Sequence, residues 1–204
     1  MTELNRRNYN ETKAAEVTFY FLKRAKERRG HVTKLRLMKW LYLAERAAYA
    51  NFGEPLTGDL LCSMEHGPVL SSTLYLVEKP SLQRRSNGAF SAVVSAVREN
   101  NKHQYLTIRE DCPYRSVDDL RQLSDAEVGL LDSVWEEFGG MSSKQLESYL
   151  HHPDHTPEWQ WSRGDGSNPI ELEDLFLALG NSEEQAKQLV ESIKAFESIN
   201  LALS

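Results

Sequence analysis

KLRLMKWLYLA, residues 34–44, is apolar on nearly every side of the helix that its spacing predicts. Leu37, Trp40 and Leu41 share one face at helical spacing, and Met38 and Tyr42 share another. A helix that is apolar all round belongs in the centre of a domain. We therefore expect this segment to form the central helix, with Trp40 and Tyr42 in the core. An exposed anchor for a partner is the alternative role for these two side chains.

The limits of the central helix are marked by ordinary capping residues. Thr33 can cap its start, and Gly53 can take the left-handed conformation just past its end. Another amphipathic helix is predicted before it, over about residues 10–29, with Asn10 or Thr12 as its cap.

The next stretch, PLTGDLLCSMEHGPVL at residues 55–70, mixes turn and strand signals. Pro55 and Gly58 predict a turn, residues 60–65 an extended segment, and Gly67-Pro68 a break. A short helix is then expected from Ser71 or Ser72 to about Lys79.

Two segments further on predict a β-hairpin. Residues 90–97 alternate in part and are rich in valine, and residues 104–108 continue the pattern beyond a turn at Asn100-Asn101. A hairpin alone is marginally stable, so another element must cover it. The segment at 60–65 is the expected third strand, and the polar residues 81–88 form a connection.

The second half of the chain is predicted to form several helices, two of which end at glycine residues. Ser124-x-x-Glu127 is a capping box for a helix that ends at Gly139, and a shorter helix begins after Ser142 or Ser143. Two more helices are predicted near the end, starting at Asn168-Pro169 and at Ser182-x-x-Gln185, with Gly180 between them. The fold class predicted is α+β: a helix-dominated single globular domain with a small antiparallel sheet or hairpin and additional C-terminal helices.

Composition places the chain among ordinary globular proteins. Its 204 residues are 40% hydrophobic and 26% charged, enough to bury a sizeable core. No apolar run is long enough to cross a membrane, and the N-terminus lacks the apolar core of a signal peptide. Cys62 and Cys112 have no metal-ligand spacing, so reduced thiols and a cytoplasmic location are expected.

Charge is unevenly distributed along the chain. Residues 1–40 hold eleven Lys or Arg and four acidic residues, a net charge of +7 in a chain of net charge −6. A basic face can attract nucleic acid, and a DNA-binding autoregulator is one hypothesis. No helix-turn-helix signal or basic patch interleaved with aromatic residues accompanies the charge. We therefore favour solvated helices whose charges offset the acidic remainder, and do not expect a nucleic-acid partner.

Candidate chemistry is sparse. HHPDH at residues 151–155 contains metal-ligand types, but Pro153 keeps its histidines off one helical face and no HExxH spacing occurs. Cys62 is not flanked by the motif of a cysteine protease. We predict no catalytic residue, no metal ligand and no cofactor, and keep a metal-dependent hydrolase that uses His66 with His151 or His155 as a remote alternative.

Asp59 and His66 remain as the two polar residues whose role the pattern leaves open. An aspartate after a glycine turn can accept backbone N–H bonds, and a histidine before Gly-Pro can hold a loop against a helix. The structural role is favoured for both residues, ahead of contact with a partner and of catalysis.

Three motifs, taken in order, resemble one family. They are KLRLMKWLYLA at 34–44, GEPLTGD at 53–59 and HGPV at 66–69, and the later pieces LSDAE, FGGMS and PEW continue the likeness. This combination is similar to the Panacea antitoxin domain, the SocA-like family, over roughly residues 10–160. Leu70 stands where the family usually has proline.

The resemblance implies a protein-binding role in a bacterial or phage setting. Family members neutralise toxins, typically encoded beside them, by direct association, and one acts as an adaptor that presents its toxin to an ATP-dependent protease. An antitoxin that binds a cognate toxin protein is therefore expected here, and the adaptor is the alternative. The domains expected are residues 1–160, the toxin-neutralising domain, and 161–204, a helical extension packed on it.

The resemblance also directs attention to particular residues, none of them catalytic. The motif residues expected to shape the corner are Lys34, Tyr42, Gly53, Pro55, Gly58, Asp59, His66, Gly67 and Pro68. Because protein interfaces rely on a few aromatic and charged anchors, we select six candidate toxin contacts. They are Trp40, Glu65, His66, Tyr75, Trp159 and Trp161.

Overall fold

The computed structural model describes residues 9–28, 30–78, 88–99 and 103–203. Within these ranges the fold is helix-dominated with small antiparallel sheets, which confirms the predicted α+β class. The helices are α1 Glu11–Glu27, α2 Lys34–Phe52, α3 Ser71–Glu78, α4 Ala89–Val93, α5 Asp125–Phe138, α6 Ser143–Leu150, α7 Leu172–Ala178 and α8 Glu183–Leu203. The strands are β1 Val32–Thr33, β2 Leu61–Ser63, β3 Val69–Leu70, β4 Val94–Glu99, β5 His103–Ile108 and β6 Asn168–Pro169.

Helix α2 lies at the centre, as its all-round apolar pattern predicts. Trp40 has no exposed surface, and its ring lies 5.1 Å from that of Trp135 and 5.8 Å from that of Phe21, measured between centroids. The Trp40 indole N–H donates to the carbonyl of Phe138, so the polar atom of this buried ring is satisfied.

The predicted caps place most helix ends correctly. Asn10 accepts from the amide of Lys13 at the start of α1, and Thr33 accepts from that of Arg36 at the start of α2. Gly53 ends α2 at φ 70°. The predicted pairs Ser124 with Glu127 and Ser182 with Gln185 form capping boxes at the starts of α5 and α8. Of the two serines expected to cap α6, Ser142 does so, and the structure adds a capping box with Gln145.

The sheet arrangement differs from the prediction. The strand at 61–63 does not join the hairpin: it pairs with β3 and β6, while β1 pairs with β5 of the β4–β5 hairpin. Gly67-Pro68 turns the chain straight back, so Leu61 and Cys62 find partners in β3 a few residues later. A short loop closes at less entropic cost than the distant pairing that we expected.

Two other predictions, of a strand from residue 90 and of a helix that starts at Asn168-Pro169, were wrong. Residues 89–93 form α4 instead of strand, because the Glu11 carboxylate accepts the amide N–H of Phe90 and caps a helical turn. Pro169 does not start a helix: it lies in β6, beside β2, and α7 begins at Leu172. A proline has no N–H to donate and is tolerated in such a two-residue strand.

Some predicted features lie outside the described residues. They are the ends of two helices at Arg29 and Lys79, the Asn100-Asn101 turn, and most of the polar connection at 81–88. No helix in the described part of the chain combines the length and the apolarity that a membrane span requires.

Candidate functional site

The motif residues gather where the segment between α2 and α3 folds back on α2. Two turns form this region: residues 56–60, which we call the acidic turn, and residues 66–68, which we call the His-Gly-Pro corner. Each holds a buried charged side chain of α2, Glu45 and Lys39 respectively. Helix α6 and residues 151–161 cover the corner from outside.

Glu45 organises the first half of the acidic turn. Its carboxylate has no exposed surface and accepts the backbone N–H groups of Leu56, Thr57 and Gly58 at 3.0 to 3.2 Å. The Thr57 hydroxyl donates a further bond of 2.7 Å. Burial raises the pKa of Glu45 to about 7, although the bonds from Thr57 oppose the shift. The turn is thus built around this side chain of the central helix.

Asp59 joins the acidic turn to α3. One carboxylate oxygen accepts the amides of Leu60 and Ser72, at 2.7 and 2.8 Å, and the other accepts the Thr73 amide and hydroxyl, at 2.8 and 2.7 Å. Ser72 and Thr73 lie in the first turn of α3, so Asp59 satisfies N–H groups that a helix start leaves without intrahelical partners. The Asp59 side chain is 4% exposed, and all four of its hydrogen bonds hold the acidic turn against the start of α3.

The His-Gly-Pro corner depends on Gly67. Its φ is 93°, a conformation that L side chains rarely adopt. A Cβ atom at this position would lie 3.0 Å from the Lys39 ammonium nitrogen and 3.3 Å from the His151 ring. Glycine therefore provides both the backbone conformation and the space that Lys39 occupies.

Lys39 is the buried cation of the corner. It has no exposed surface, and its ammonium donates a 2.9 Å bond to the carbonyl of Pro68. Burial lowers the pKa of Lys39 to about 7, and the nearby Glu147 carboxylate opposes this shift. This lysine therefore changes protonation near neutral pH.

Two histidines border the corner in different ways. His66 is mostly exposed, and its Nδ1 lies 2.7 Å from the Glu147 carboxylate. His151 stacks on Trp159 with ring centroids 4.2 Å apart, and the Trp159 indole N–H donates to the carbonyl of Met64. Burial lowers the pKa of His151, whose buried Nε2 has no hydrogen-bond partner among the described residues.

Sequence reasoning missed a third buried polar cluster, at Glu158. The Tyr42 hydroxyl and the Arg46 Nε atom each lie 2.6 Å from one oxygen of the Glu158 carboxylate, which is buried. Burial raises the pKa of Tyr42. The signal was present: a tyrosine on an apolar helix needs a polar partner, and Glu158 lies in the PEW motif.

The six candidate contacts fall in different environments. Trp40 is buried, which gives it no surface for a partner in this conformation. Glu65, His66 and Tyr75 are exposed, and Trp159 and Trp161 are half-buried. Because the Trp159 indole N–H bonds to the carbonyl of Met64, Trp159 lies beside the chain segment that contains Glu65 and His66. Of the other motif residues, Lys34 forms an exposed salt bridge of 2.6 Å with Glu78, and Pro55 is half-buried just before the acidic turn.

The arrangement offers little chemistry beyond binding. Among the described residues, no three His, Cys, Asp or Glu side chains form a group that could hold a metal ion. His155 stacks on Tyr149, with ring centroids 3.9 Å apart, whereas His151 stacks on Trp159, so the two histidines have different ring partners. Cys62 is buried, and burial raises the pKa of its thiol, which disfavours the nucleophilic thiolate.

A family model described as antitoxin SocA-like, Panacea domain, matches residues 37–160, more than half of the chain. The chain belongs to this family. The matched part of the Panacea domain contains Lys39, the acidic turn, the His-Gly-Pro corner and the Glu158 cluster. Helices α7 and α8 lie beyond the match. No curated protein and no solved structure matches the chain.

Membership of the Panacea family supports an antitoxin role in general terms and agrees with a non-enzymatic function. It also implies a toxin as partner, in the same general sense. The three motifs that carry the resemblance occupy contiguous structure: α2, the acidic turn and the His-Gly-Pro corner.

Proposed function

We propose that this protein is an antitoxin that neutralises a cognate toxin protein by binding it directly. The observation that carries the proposal is the Panacea family match over residues 37–160. The toxin is expected to be encoded next to this chain, in the cytoplasm of a bacterium or in a phage.

The contacts of the charged and polar residues support a binding role. The buried carboxylates of Glu45 and Asp59 accept hydrogen bonds that hold turns in place, and that of Glu158 joins the segment after α6 to α2 through Tyr42 and Arg46. A platform of this kind presents a defined surface at low entropic cost, which a binding protein needs. We propose Glu65, His66 and Trp159 as contacts on that surface, together with Tyr75 and Trp161.

The basic residues near the N-terminus favour a protein partner over nucleic acid. Lys13 and Arg24 form salt bridges with Glu127 and Asp132. The guanidinium of Arg36 lies over the Trp40 ring at 4.6 Å, measured to the ring centroid. Cations engaged in this way are less available for phosphate contacts, which dominate nucleic-acid affinity.

Co-expression with the product of the flanking reading frame tests the proposal. The flanking product alone should stop growth, and this protein should restore growth and co-purify with it. A flanking product that is harmless by itself and does not co-purify would contradict the proposal.

Toxin abundance in the rescued cells separates direct inhibition from the adaptor alternative. Direct binding leaves the half-life of the toxin unchanged or longer. A half-life that falls, and that recovers when an ATP-dependent protease is deleted, would assign the adaptor mechanism instead.

A further inference from the structure

The last helix, α8, packs on the core through its first half. Ala186 and Ile193 are buried and Leu189 is half-buried, so this half belongs to the core. Phe196 and Ile199, by contrast, are 60% and 56% exposed. Residues three apart lie on the same side of a helix, so the end of α8 presents an apolar face to solvent.

A groove of about 700 Å³ separates α8 from the segment that follows α2. Leu56, Leu189 and Ile193 contribute apolar surface to it, and Phe52 and Phe196, both substantially exposed, also line it. We call this feature the α8 groove. Its apolar lining continues onto the exposed end of α8 through Phe196.

Gly53 sets the width of the α8 groove. A Cβ atom on this residue would lie 3.1 Å from the Leu189 side chain, and its φ of 70° suits glycine. The motif glycine at the end of α2 therefore lets α8 pack closely beside it. The groove thus combines the Panacea core with a helix that lies beyond the family match.

The unpaired charge of the α8 groove is negative. Glu54 and Glu197 line it, and neither forms a salt bridge with another described residue. Its one lysine, Lys13, is engaged with Glu127 at 2.5 Å. Residues 161–204 hold eight acidic and three basic residues, so this segment carries a net charge of −5 in a chain of −6. The field around the groove favours a cationic partner.

We propose that the α8 groove binds an amphipathic helix of the toxin whose apolar side is flanked by lysine or arginine. The apolar lining and the exposed end of α8 match the apolar stripe of such a helix, and Glu54 and Glu197 match its basic edges. The identity of the partner as the toxin rests on the proposed function.

Other occupants fit the charge less well. A second copy of this chain would bring its own acidic extension against the groove, and like charges at an interface are unfavourable. Nucleic acid and anionic membranes meet the same repulsion. Charge complementarity therefore selects a basic protein segment.

Synthetic peptides test the groove without any toxin. The probes are two fluorescent amphipathic 18-residue helices with the same leucine stripe, one with lysine and one with glutamate on the polar side. A third peptide has the Leu/Lys composition in scrambled order. The full chain should bind the Leu/Lys helix at least tenfold more tightly than the other two, measured by fluorescence anisotropy.

Matched variants locate the binding. The double variant Glu54→Lys/Glu197→Lys and the single variant Phe196→Asp should each weaken binding of the Leu/Lys helix at least tenfold. Glu184→Lys/Glu191→Lys makes the same charge change on α8 outside the groove, and Leu177→Asp changes an exposed apolar residue elsewhere. These controls should bind within about threefold of the unmodified chain, and equal losses in controls and groove variants would overturn the proposal.

The flanking gene product decides whether the toxin is the occupant. Phe196→Asp should lose neutralisation while its thermal unfolding stays that of the unmodified chain. A Phe196→Asp variant that still neutralises fully would overturn the groove proposal and leave the proposed function intact. A chain that binds the Leu/Lys helix but no flanking product would contradict the proposed function alone. A dimer that Phe196→Asp converts to monomer in light scattering would assign the groove to a second copy and overturn the proposal.

Discussion

The acidic turn and the His-Gly-Pro corner each enclose a charged side chain of the same helix, but they satisfy it differently. Glu45 accepts bonds from three amides and a hydroxyl, whereas Lys39, which has three N–H donors, reaches one acceptor among the described residues, the carbonyl of Pro68. An ion buried with incomplete hydrogen bonding costs free energy unless its charge is lost. The acidic turn therefore satisfies its buried ion more fully than the corner does, although burial brings the pKa of both groups to about 7.

Removing the carboxylate of Asp59 should give the largest effect. In Asp59→Ala the amides of Leu60, Ser72 and Thr73 lose their acceptor inside the protein. We expect the free energy of unfolding in urea to fall by about 3 to 5 kcal/mol, because each buried unsatisfied donor is costly. Asp59→Asn keeps one acceptor oxygen and should lose about half as much. A loss below about 1 kcal/mol for Asp59→Ala would show that the turn does not depend on this side chain.

Adding a methyl group at Gly67 tests the corner by crowding. Gly67→Ala should cost about 2 to 3 kcal/mol, since it combines an unfavourable φ with contact against Lys39 and His151. Gly180→Ala is the matched control, because Gly180 has φ 89° and open space around it, and should cost about 1 kcal/mol. If Gly67→Ala and Gly180→Ala lose the same free energy of unfolding, in thermal or urea unfolding, crowding at Gly67 does not contribute.

The protonation of Lys39 should appear as a pH dependence of stability. Its pKa is lowered from the ordinary 10.5 to about 7, so between these values the unfolded chain binds more protons than the folded chain. The free energy of unfolding should therefore rise by about 2 kcal/mol from pH 7 to pH 9 through this group. Lys39→Met should remove that part of the slope, and Lys187→Met, an exposed control, should keep it. An unchanged slope in Lys39→Met would mean that the lysine stays charged in the folded protein.

The smallest effect on stability is expected at His66. Its ion pair with Glu147 is largely exposed, and such pairs contribute less than about 1 kcal/mol. His66→Ala should leave urea unfolding nearly unchanged while weakening association with the flanking gene product at least several-fold. A large loss of stability would give His66 a structural role in the corner, and unchanged association would remove it from the proposed contacts.

Sequence reasoning succeeded where the information is local and failed where it is distant. The caps at Asn10, Thr33 and Ser124 were predicted because the capping side chain lies within three residues of the amide that it accepts from. Helix α4 was missed because its capping carboxylate, Glu11, comes from a different part of the chain. The pairing of β2 with β6 was missed for the same reason, because these strands lie about a hundred residues apart.

The motif region shows the same division. Asp59 and His66 were singled out from the turn pattern around them, and a structural role was favoured for both. Nothing in the spacing showed that Glu45, on the central helix, builds the acidic turn, or that Lys39 fills the space left by Gly67. These contacts join residues that lie on different elements, so the spacing of residues along the sequence does not indicate them.

The sequence by itself determined the central helix, the positions of its ends, and the order of motifs that marks the Panacea family, because periodicity and capping are properties of neighbouring residues. Only the tertiary structure decided which strands pair, which charges are buried and saturated, and that the first half of α8 packs beside Gly53 next to an apolar groove. Burial and long-range hydrogen bonding depend on how the elements pack, and packing sets the surface available to a partner.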